Sequence, residues 1–348
     1  MGRAIEERFD RFKAELRRRY GWVAPPEVVT YRGHGTREAL FMKGRVLESK
    51  GLTRSRATDT ARTNLRNMAR RFLSAEVPFA RLRAAHAGQE VSVVADEEGF
   101  FDVRFDLAEP PGAETAWHPV EVELLGYDGA RARAKGSVLV PDGARLGVIS
   151  DLDDTVIQTG VTSLLKMLRT ALLNNAHTRL PFEGVTHFYR ALQGEANPIF
   201  YVSSSPWNLY DLLEDFLDVH DVPAGPLFLK DWSPMVLTSH EQHKLGVIRT
   251  LLSTYPNLPF VLVGDSGEED PEIYRTIVRE HPGRIAAVYI RDVTTTERDY
   301  VVQAIARQVR SLGVEMLLVP NTAAAAEHAA SRGLISPEAL PGIRRASG

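Results

Sequence analysis

The 348-residue sequence contains no cysteine. Disulfides, thiolate zinc sites and a cysteine nucleophile are therefore excluded, and any metal must use oxygen or imidazole ligands. The net charge of -3 is small, which indicates neither a nucleic-acid-binding surface nor an acidic tail. There is no uninterrupted apolar run of about eighteen residues, as a transmembrane segment needs. The N-terminus also lacks the apolar core and cleavage site of a secretory signal, which favours a cytoplasmic protein.

The first part of the chain indicates an all-β domain after a short helical segment. Ile5, Phe9, Phe12 and Leu16 recur at helical spacing, so we expect an amphipathic helix within 1–26. Short β-rich segments separated by turn signals then predict an antiparallel, sandwich-like domain over 27–144; they lie at 39–47, 90–95, 100–107, 118–125 and 130–140. An arginine-rich stretch at 56–72 predicts a helix that interrupts this domain.

The second part, 145–348, alternates short apolar runs with helical segments. The runs predict strands at 146–150, 199–203, 227–229, 260–263, 285–290 and 314–319. Such alternation is typical of an α/β fold with a doubly wound parallel sheet and helices on both faces. Ligands in that architecture bind beyond the carboxyl ends of the strands. After a final helix at 323–331 we expect a loose, polar end.

An acid pair follows the first strand of this second part. Asp151 and Asp153 lie two residues apart, so their carboxylates converge and repel unless a cation or a shared proton relieves them. The alternative is a solvated turn before a helix, capped by Asp154 or Thr155. We interpret these last two as structural, with the Thr155 hydroxyl bonded locally to hold the turn.

The ends of the later strands carry complementary groups. Ser203 ends the strand at 199–203 and offers a hydroxyl, while Asp265 opens a second acidic cluster after 260–263. Lys244 lies between them, at the start of the predicted helical run 245–252. The order along the chain is therefore acid pair, hydroxyl, lysine and acid.

This order resembles the four motifs of the haloacid-dehalogenase superfamily of phosphatases. Within it, the stretches DLDDTVIQTGV, FYVSSSPWNLY, HKLGVI, GDSGEEDPEIY and YIRDV are similar to the actin-patch-associated phosphatidate phosphatase family. The resemblance is specific over 148–293 and looser before it, through KGRVL at 43–47 and DEEGFF at 96–101. It implies a haloacid-dehalogenase-like sheet with a small helical cap inserted at about 156–195.

The resemblance also implies roles for five residues. Asp151 would be the nucleophile, and Asp153 would protonate the leaving group and then deprotonate water. Ser203 and Lys244 would bind the transferring phosphoryl oxygens. Mg²⁺ would be held by the side chains of Asp151 and Asp265 and by the backbone carbonyl of Asp153.

Further residues have narrower or open roles. Asp270, or otherwise Glu269, would orient a metal-bound water. Ser204 is a candidate for substrate binding, although loop solvation is the alternative for it and for Ser205. His243 either contacts the substrate phosphate or satisfies hydrogen bonds at the start of its helix.

The substrate implied by the resemblance is phosphatidate, a lipid phosphomonoester met at a membrane surface. A small cap would leave the site open to such a bulky substrate. The predicted helix at 163–173 is apolar over a broad arc, so it either touches a bilayer interface or packs on the core. Two alternatives remain: a phosphatase of a soluble or protein phosphomonoester, and a scaffold that recruits a partner or membrane through its β domain. No protein partner is indicated.

Overall fold

The structure is a computed structural model that describes residues 25–49, 76–112, 115–126, 132–157, 181–231, 239–294 and 296–347. The predicted helices near the N-terminus, at 56–72 and at 163–173 lie outside these residues. The described residues form two sheets, one before and one after position 145.

The first sheet has eight strands in the described residues, with the order β1-β3-β2-β8-β7-β4-β5, and β6 pairs with the other edge of β3. The pairs are antiparallel, as predicted, except that β2 and β8 run parallel. The strands are β1 (Pro26–Thr30), β2 (Gly33–Gly35), β3 (Ala39–Glu48), β4 (Arg81–His86), β5 (Gln89–Val94), β6 (Phe100–Asp106), β7 (Trp117–Leu124) and β8 (Arg133–Leu139).

Alternating burial explains why these segments form strands. In β6, the side chains of Phe101, Val103 and Phe105 enter the core, while the residues between them are exposed. Such a period of two is the pattern of a strand with one solvated face. Strand β4 shows the same alternation, but its apolar positions are Leu82 and alanines among arginines. Strand β4 is not recognisable from the sequence because that composition has low β propensity.

The second sheet is parallel throughout its six described strands, with the order β11-β10-β9-β12-β13-β14. Helices cover both faces, which confirms the predicted α/β class. Both faces of the sheet are therefore shielded from solvent, and β9 and β12 are buried at every position. The strands are β9 (Gly147–Ser150), β10 (Ile199–Pro206), β11 (Leu227–Lys230), β12 (Phe260–Asp265), β13 (Ile285–Arg291) and β14 (Met316–Val319).

Seven described helices pack in two layers against this sheet. One layer contains α1 (Val185–Gln193), α2 (Tyr210–Val219), α6 (Thr322–Ser331) and α7 (Leu340–Ala346). The other contains α3 (His240–Thr254), α4 (Asp270–Glu280) and α5 (Thr296–Ser311). Within the described residues, no helix is long and apolar enough to cross a membrane.

Three predicted boundaries need correction. The end of the chain is not loose, because a short 3-10 helix (Pro337–Ala339) leads into α7, whose Ile343 is buried. Helix α3 begins at His240, where Ser239 and Gln242 form a reciprocal capping box, and not at Leu245. Helix α1 lies within the predicted cap interval, yet its apolar face packs in the core beside the sheet.

The two sheets contact each other near the end of β10. The ring of Tyr31 stacks on Trp207, with 4.6 Å between centroids, and Arg32 forms ion pairs with α2. The two stretches of looser resemblance meet at Arg45, whose guanidinium lies 4.1 Å from the Phe100 ring centroid. Arg45 also donates a 3.2 Å hydrogen bond to Asn208. The first sheet thereby supports the segment that follows β10.

Candidate active site

Four predicted side chains lie at the carboxyl ends of the central parallel strands. Strand β9 lies between β10 and β12, and Asp151 directly follows it. Ser203 lies in β10, and Asp265 is the last residue of β12. Lys244 reaches this edge from the second turn of α3. The chain leaves β9 on one side for β10 and later returns on the other side for β12, and such a switch point is where α/β sheets bind ligands.

Lys244 is the centre of a buried cluster of carboxylates. Its Nζ lies 2.8 Å from Asp151 Oδ1, 2.6 Å from Asp270 Oδ1 and 3.0 Å from Glu268 Oε2. The Lys244 side chain is 2 % exposed, and those of Asp151 and Asp270 are 1 % and 0 % exposed. A buried ammonium is stable only when carboxylates surround it in this way.

Asp265 is held by the loop that follows it. Its Oδ1 accepts hydrogen bonds from the backbone amides of Gly267 (2.6 Å) and Glu268 (3.1 Å). Asp270 Oδ2 accepts one from the backbone amide of Asp265 at 3.2 Å. Both oxygens of Asp270 are therefore engaged, whereas Asp265 Oδ2 and Asp151 Oδ2 are buried and have no hydrogen-bond partner in the part of the chain that the structure describes.

These two oxygens fit a divalent cation. Ligand oxygens of Asp151, Asp265 and Asp270 lie within 4.8 Å of one another, and hard carboxylate oxygens are the ligands that Mg²⁺ prefers. Since Asp270 already binds Lys244 and the Asp265 amide, the free oxygens of Asp151 and Asp265 are the ones best placed to contact an ion directly. Asp270 would then hold the surrounding groups in place and would not contact the ion directly.

The electrostatics of the cluster point the same way. Burial, reinforced by the other carboxylates, raises the pKa values of Asp151 and Asp265 well above their ordinary range, although Lys244 opposes the shift. Burial likewise raises the pKa of Asp270. Despite its own desolvation, Lys244 has a raised pKa because the carboxylates stabilise its charge. Four carboxylates around one ammonium leave an excess of negative charge that a cation would neutralise.

Asp153 belongs to a separate hydroxyl-bonded group. Its Oδ2 accepts hydrogen bonds from Ser203 Oγ and Ser205 Oγ, both at 2.9 Å. The Ser203 hydroxyl in turn accepts a 2.9 Å bond from the backbone amide of Ser205. Two hydroxyls thus fix the orientation of the Asp153 carboxyl group.

The remaining candidates occupy varied positions. Ser204 and Ser205 are buried in β10, so the loop-solvation interpretation of both is wrong. Glu269 is exposed at the N-cap of α4, whereas Glu268 contacts Lys244. The ring of His243 lies beside the backbone of Phe228 and Ser203, its buried Nε2 has no hydrogen-bond partner among the described residues, and burial lowers its pKa to about 4.

The sequence predicts that the hydroxyl of Thr155 forms a local hydrogen bond that holds the turn. Among the described residues its buried hydroxyl has no hydrogen-bond partner, so the expected local bond is not found there. It lines a small cavity of about 20 Å³ behind the site, together with Arg291 and Tyr189. That volume suits a single water molecule.

The contacts of Ser205 and Glu268 were not predicted from the sequence. A signal for Ser205 existed: side chains two apart on a strand share a face, so Ser205 must point with Ser203 once β10 extends to Pro206. Glu268 lies in the acidic run after β12, but nothing in the sequence shows which carboxylate of that run meets the lysine.

Fold and site together define an α/β protein with a buried centre of carboxylates, lysine and serine at the switch point of a parallel sheet. Residues 146–292 match the family described as "Phosphatidate phosphatase APP1, catalytic domain". The family resemblance of the motifs is thus confirmed over this segment.

The relatives support the same family. The chain is 36% identical over 160 residues to phosphatidate phosphatase APP1 of Saccharomyces cerevisiae, covering 44% of this chain and 27% of the relative. It is 30% identical over 211 residues to an uncharacterised protein of Schizosaccharomyces pombe, covering 59% of this chain and 35% of the relative. The chain therefore spans about a quarter to a third of these curated relatives.

Solved structures are more distant. A crystal structure of a HAD family hydrolase from Deinococcus radiodurans R1, with bound phosphate and sodium, is 14% identical. It matches with a TM-score of 0.37, covering 56% of this chain and 100% of that chain.

Proposed function

We propose that this protein is a Mg²⁺-dependent phosphomonoesterase that acts through an aspartyl phosphate on Asp151. The observation that carries the proposal is the contact of the buried Asp151 carboxylate with Lys244 Nζ at 2.8 Å. A lysine at this distance favours the charged form of the nucleophile, against the effect of burial, and neutralises the phosphoryl oxygens that approach it. The match of residues 146–292 to a phosphatidate phosphatase catalytic family supports the same chemistry.

In the first step, an oxygen of Asp151 attacks the phosphorus of the ester. The bond from phosphorus to the ester oxygen breaks, and the departing alkoxide receives the proton of the Asp153 carboxyl group. The bonds from Ser203 and Ser205 to Asp153 Oδ2 hold that carboxyl group in one orientation. Lys244 stabilises the charge that gathers on the transferred oxygens.

In the second step, Asp153 removes a proton from water. The water oxygen attacks the phosphorus of the aspartyl phosphate, and the bond from phosphorus to Asp151 breaks. Phosphate leaves, and the two aspartates return to their initial protonation states. One carboxyl group therefore serves first as acid and then as base.

Asp151 and Asp265 would hold Mg²⁺ through the buried oxygens for which the described residues offer no hydrogen-bond partner, with the backbone carbonyl of Asp153 as a further ligand. When bound, the ion neutralises the carboxylate cluster and polarises the phosphoryl group. Asp270 supports this arrangement through its bonds to Lys244 and the Asp265 amide.

For the substrate we propose phosphatidate, which would yield diacylglycerol and phosphate. The name of the yeast relative, which is 36% identical over 160 residues, motivates this choice. The enzyme would then work peripherally at a membrane surface. We further propose that 145–348 is a haloacid-dehalogenase-like domain and that 27–144 is a separate β domain supporting it.

A substrate panel tests the proposal. Phosphate release is measured from phosphatidate in mixed micelles, from lysophosphatidate and from soluble monoesters, each with Mg²⁺ and with excess chelator. We expect Mg²⁺-dependent turnover that is fastest for phosphatidate and falls as the lipid is diluted within the micelle surface. Equal or faster turnover of soluble esters would refute the lipid assignment, and turnover in chelator would refute the metal requirement.

A further inference from the structure

Arg298 lies on α5, outside the segment that matches the catalytic family, yet it contacts the loop after β12. Its Nε donates a 2.9 Å hydrogen bond to the carbonyl of Ser266. One terminal nitrogen donates to the carbonyl of Glu268 at 2.8 Å. Both terminal nitrogens also bond Glu272, at 2.7 and 2.8 Å.

The contact with the Ser266 carbonyl is coupled to Asp265 through peptide geometry. The carbonyl of Ser266 and the amide of Gly267 belong to one planar peptide group and point in opposite directions. Arg298 holds the carbonyl side, while the amide side donates the 2.6 Å bond to Asp265 Oδ1. Rotation of this peptide would break both bonds together.

Glu272 keeps the guanidinium in place. It lies in the first turn of α4 and forms a bidentate ion pair with Arg298, a geometry that makes such pairs strong and directional. The Arg298 side chain is 27% exposed, so the pair is partly shielded from solvent. Lysine cannot reproduce this pattern, because its single ammonium cannot span two carbonyls and a carboxylate in one plane.

We propose that Arg298 is a positioning residue that sets the affinity of the site for a divalent cation by fixing the orientation of the Asp265 carboxylate. The inference rests on the proposed function, because it assumes that Asp265 is a metal ligand. In this proposal Arg298 acts through the loop, because its contacts are with two loop carbonyls and Glu272.

The test is a Mg²⁺ titration of the full chain followed by thermal unfolding, without substrate. Arg298→Gln and Arg298→Lys are compared with the wild type. Arg275→Gln serves as the matched control, because Arg275 forms an exposed bond to Gln308 away from the loop. Asp265→Asn shows which part of the stabilisation comes from the site.

We expect Mg²⁺ to raise the melting temperature of the wild type and of Arg275→Gln with the same half-saturating concentration. Both Arg298 variants should need at least about tenfold more Mg²⁺, since a misoriented ligand weakens an octahedral site. Because a conservative lysine retains the charge and much of the packing, it keeps the test valid if the glutamine variant does not fold.

One outcome would overturn this inference alone. In that outcome Mg²⁺ stabilises the wild type, Asp265→Asn abolishes the stabilisation, and the Arg298 variants have the same half-saturating Mg²⁺ concentration as the wild type. Absence of any Mg²⁺ effect in the wild type would overturn the proposed metal site and this inference with it.

Discussion

Acid should weaken the contact between the two sheets through His34. This residue lies in β2, buried among the rings of Phe41, Phe228 and Tyr255. Burial lowers its pKa from 6.5 to about 4. The unfolded chain therefore binds a proton at a pH where the folded protein does not. As a result, the free energy of unfolding decreases as the pH falls from about 6.5 towards 4.

The size of the effect follows from the shift. Each unit of pKa difference corresponds to about 1.4 kcal/mol. The His34 shift therefore lowers the free energy of unfolding by about 3 kcal/mol below pH 4 and by about 2 kcal/mol near pH 5. The sign is fixed by linkage: above the unfolded pKa both states carry neutral histidine, and the penalty appears only on acidification.

Urea denaturation of the wild type and of His34→Gln at about pH 7.5 and about pH 5 measures the effect. We expect the wild type to lose about 2 kcal/mol more than the variant on acidification. His187→Gln, which removes an exposed histidine from α1, is the control and should follow the wild type. If His34→Gln and the wild type lose equal stability, the buried neutral histidine is not the cause.

The remaining predictions concern the site. Lys244→Met should lower kcat by about 10²–10³-fold because it removes the cation beside the nucleophile. Steady-state kinetics measures the loss, with circular dichroism to check that the variant is folded, and a near-normal kcat would contradict the prediction. Ser205→Ala should lower kcat by about tenfold, because Ser205 donates a 2.9 Å hydrogen bond to the acid carboxyl group, and Ser204→Ala on the same strand is the comparison and should change kcat less. In Gly264→Ala the new methyl would clash with the carboxylate at the start of α4; we expect a loss of about 1–3 kcal/mol in denaturation, while Gly246→Ala, in open space on α3, should not destabilise.

The parallel sheet could be predicted because its strands are buried on both faces. Segments such as β9 and β12 are continuous apolar runs, and helical segments separate them. The residues that end these strands then fall at one edge of the sheet, which is why Asp151 and Asp265 could be placed together from the sequence.

Other features depend on tertiary contacts that no local pattern records. Arg298 has the appearance of an ordinary charged helix residue until the fold brings α5 against the loop after β12. The parallel pairing of β2 with β8 joins segments about a hundred residues apart. Arg45 likewise acquires its contact with Asn208 only when the first sheet docks beside β10.

The central claim is that Asp151 carries the phosphoryl group, and a trapping experiment tests it most directly. The protein is mixed with phosphatidate labelled in its phosphate and with Mg²⁺, quenched in acid during turnover and digested, and the labelled peptide is identified. We predict label on the peptide containing Asp151 in the wild type and neither label nor turnover in Asp151→Asn. Full turnover by that variant, or label on a different residue, would contradict the account.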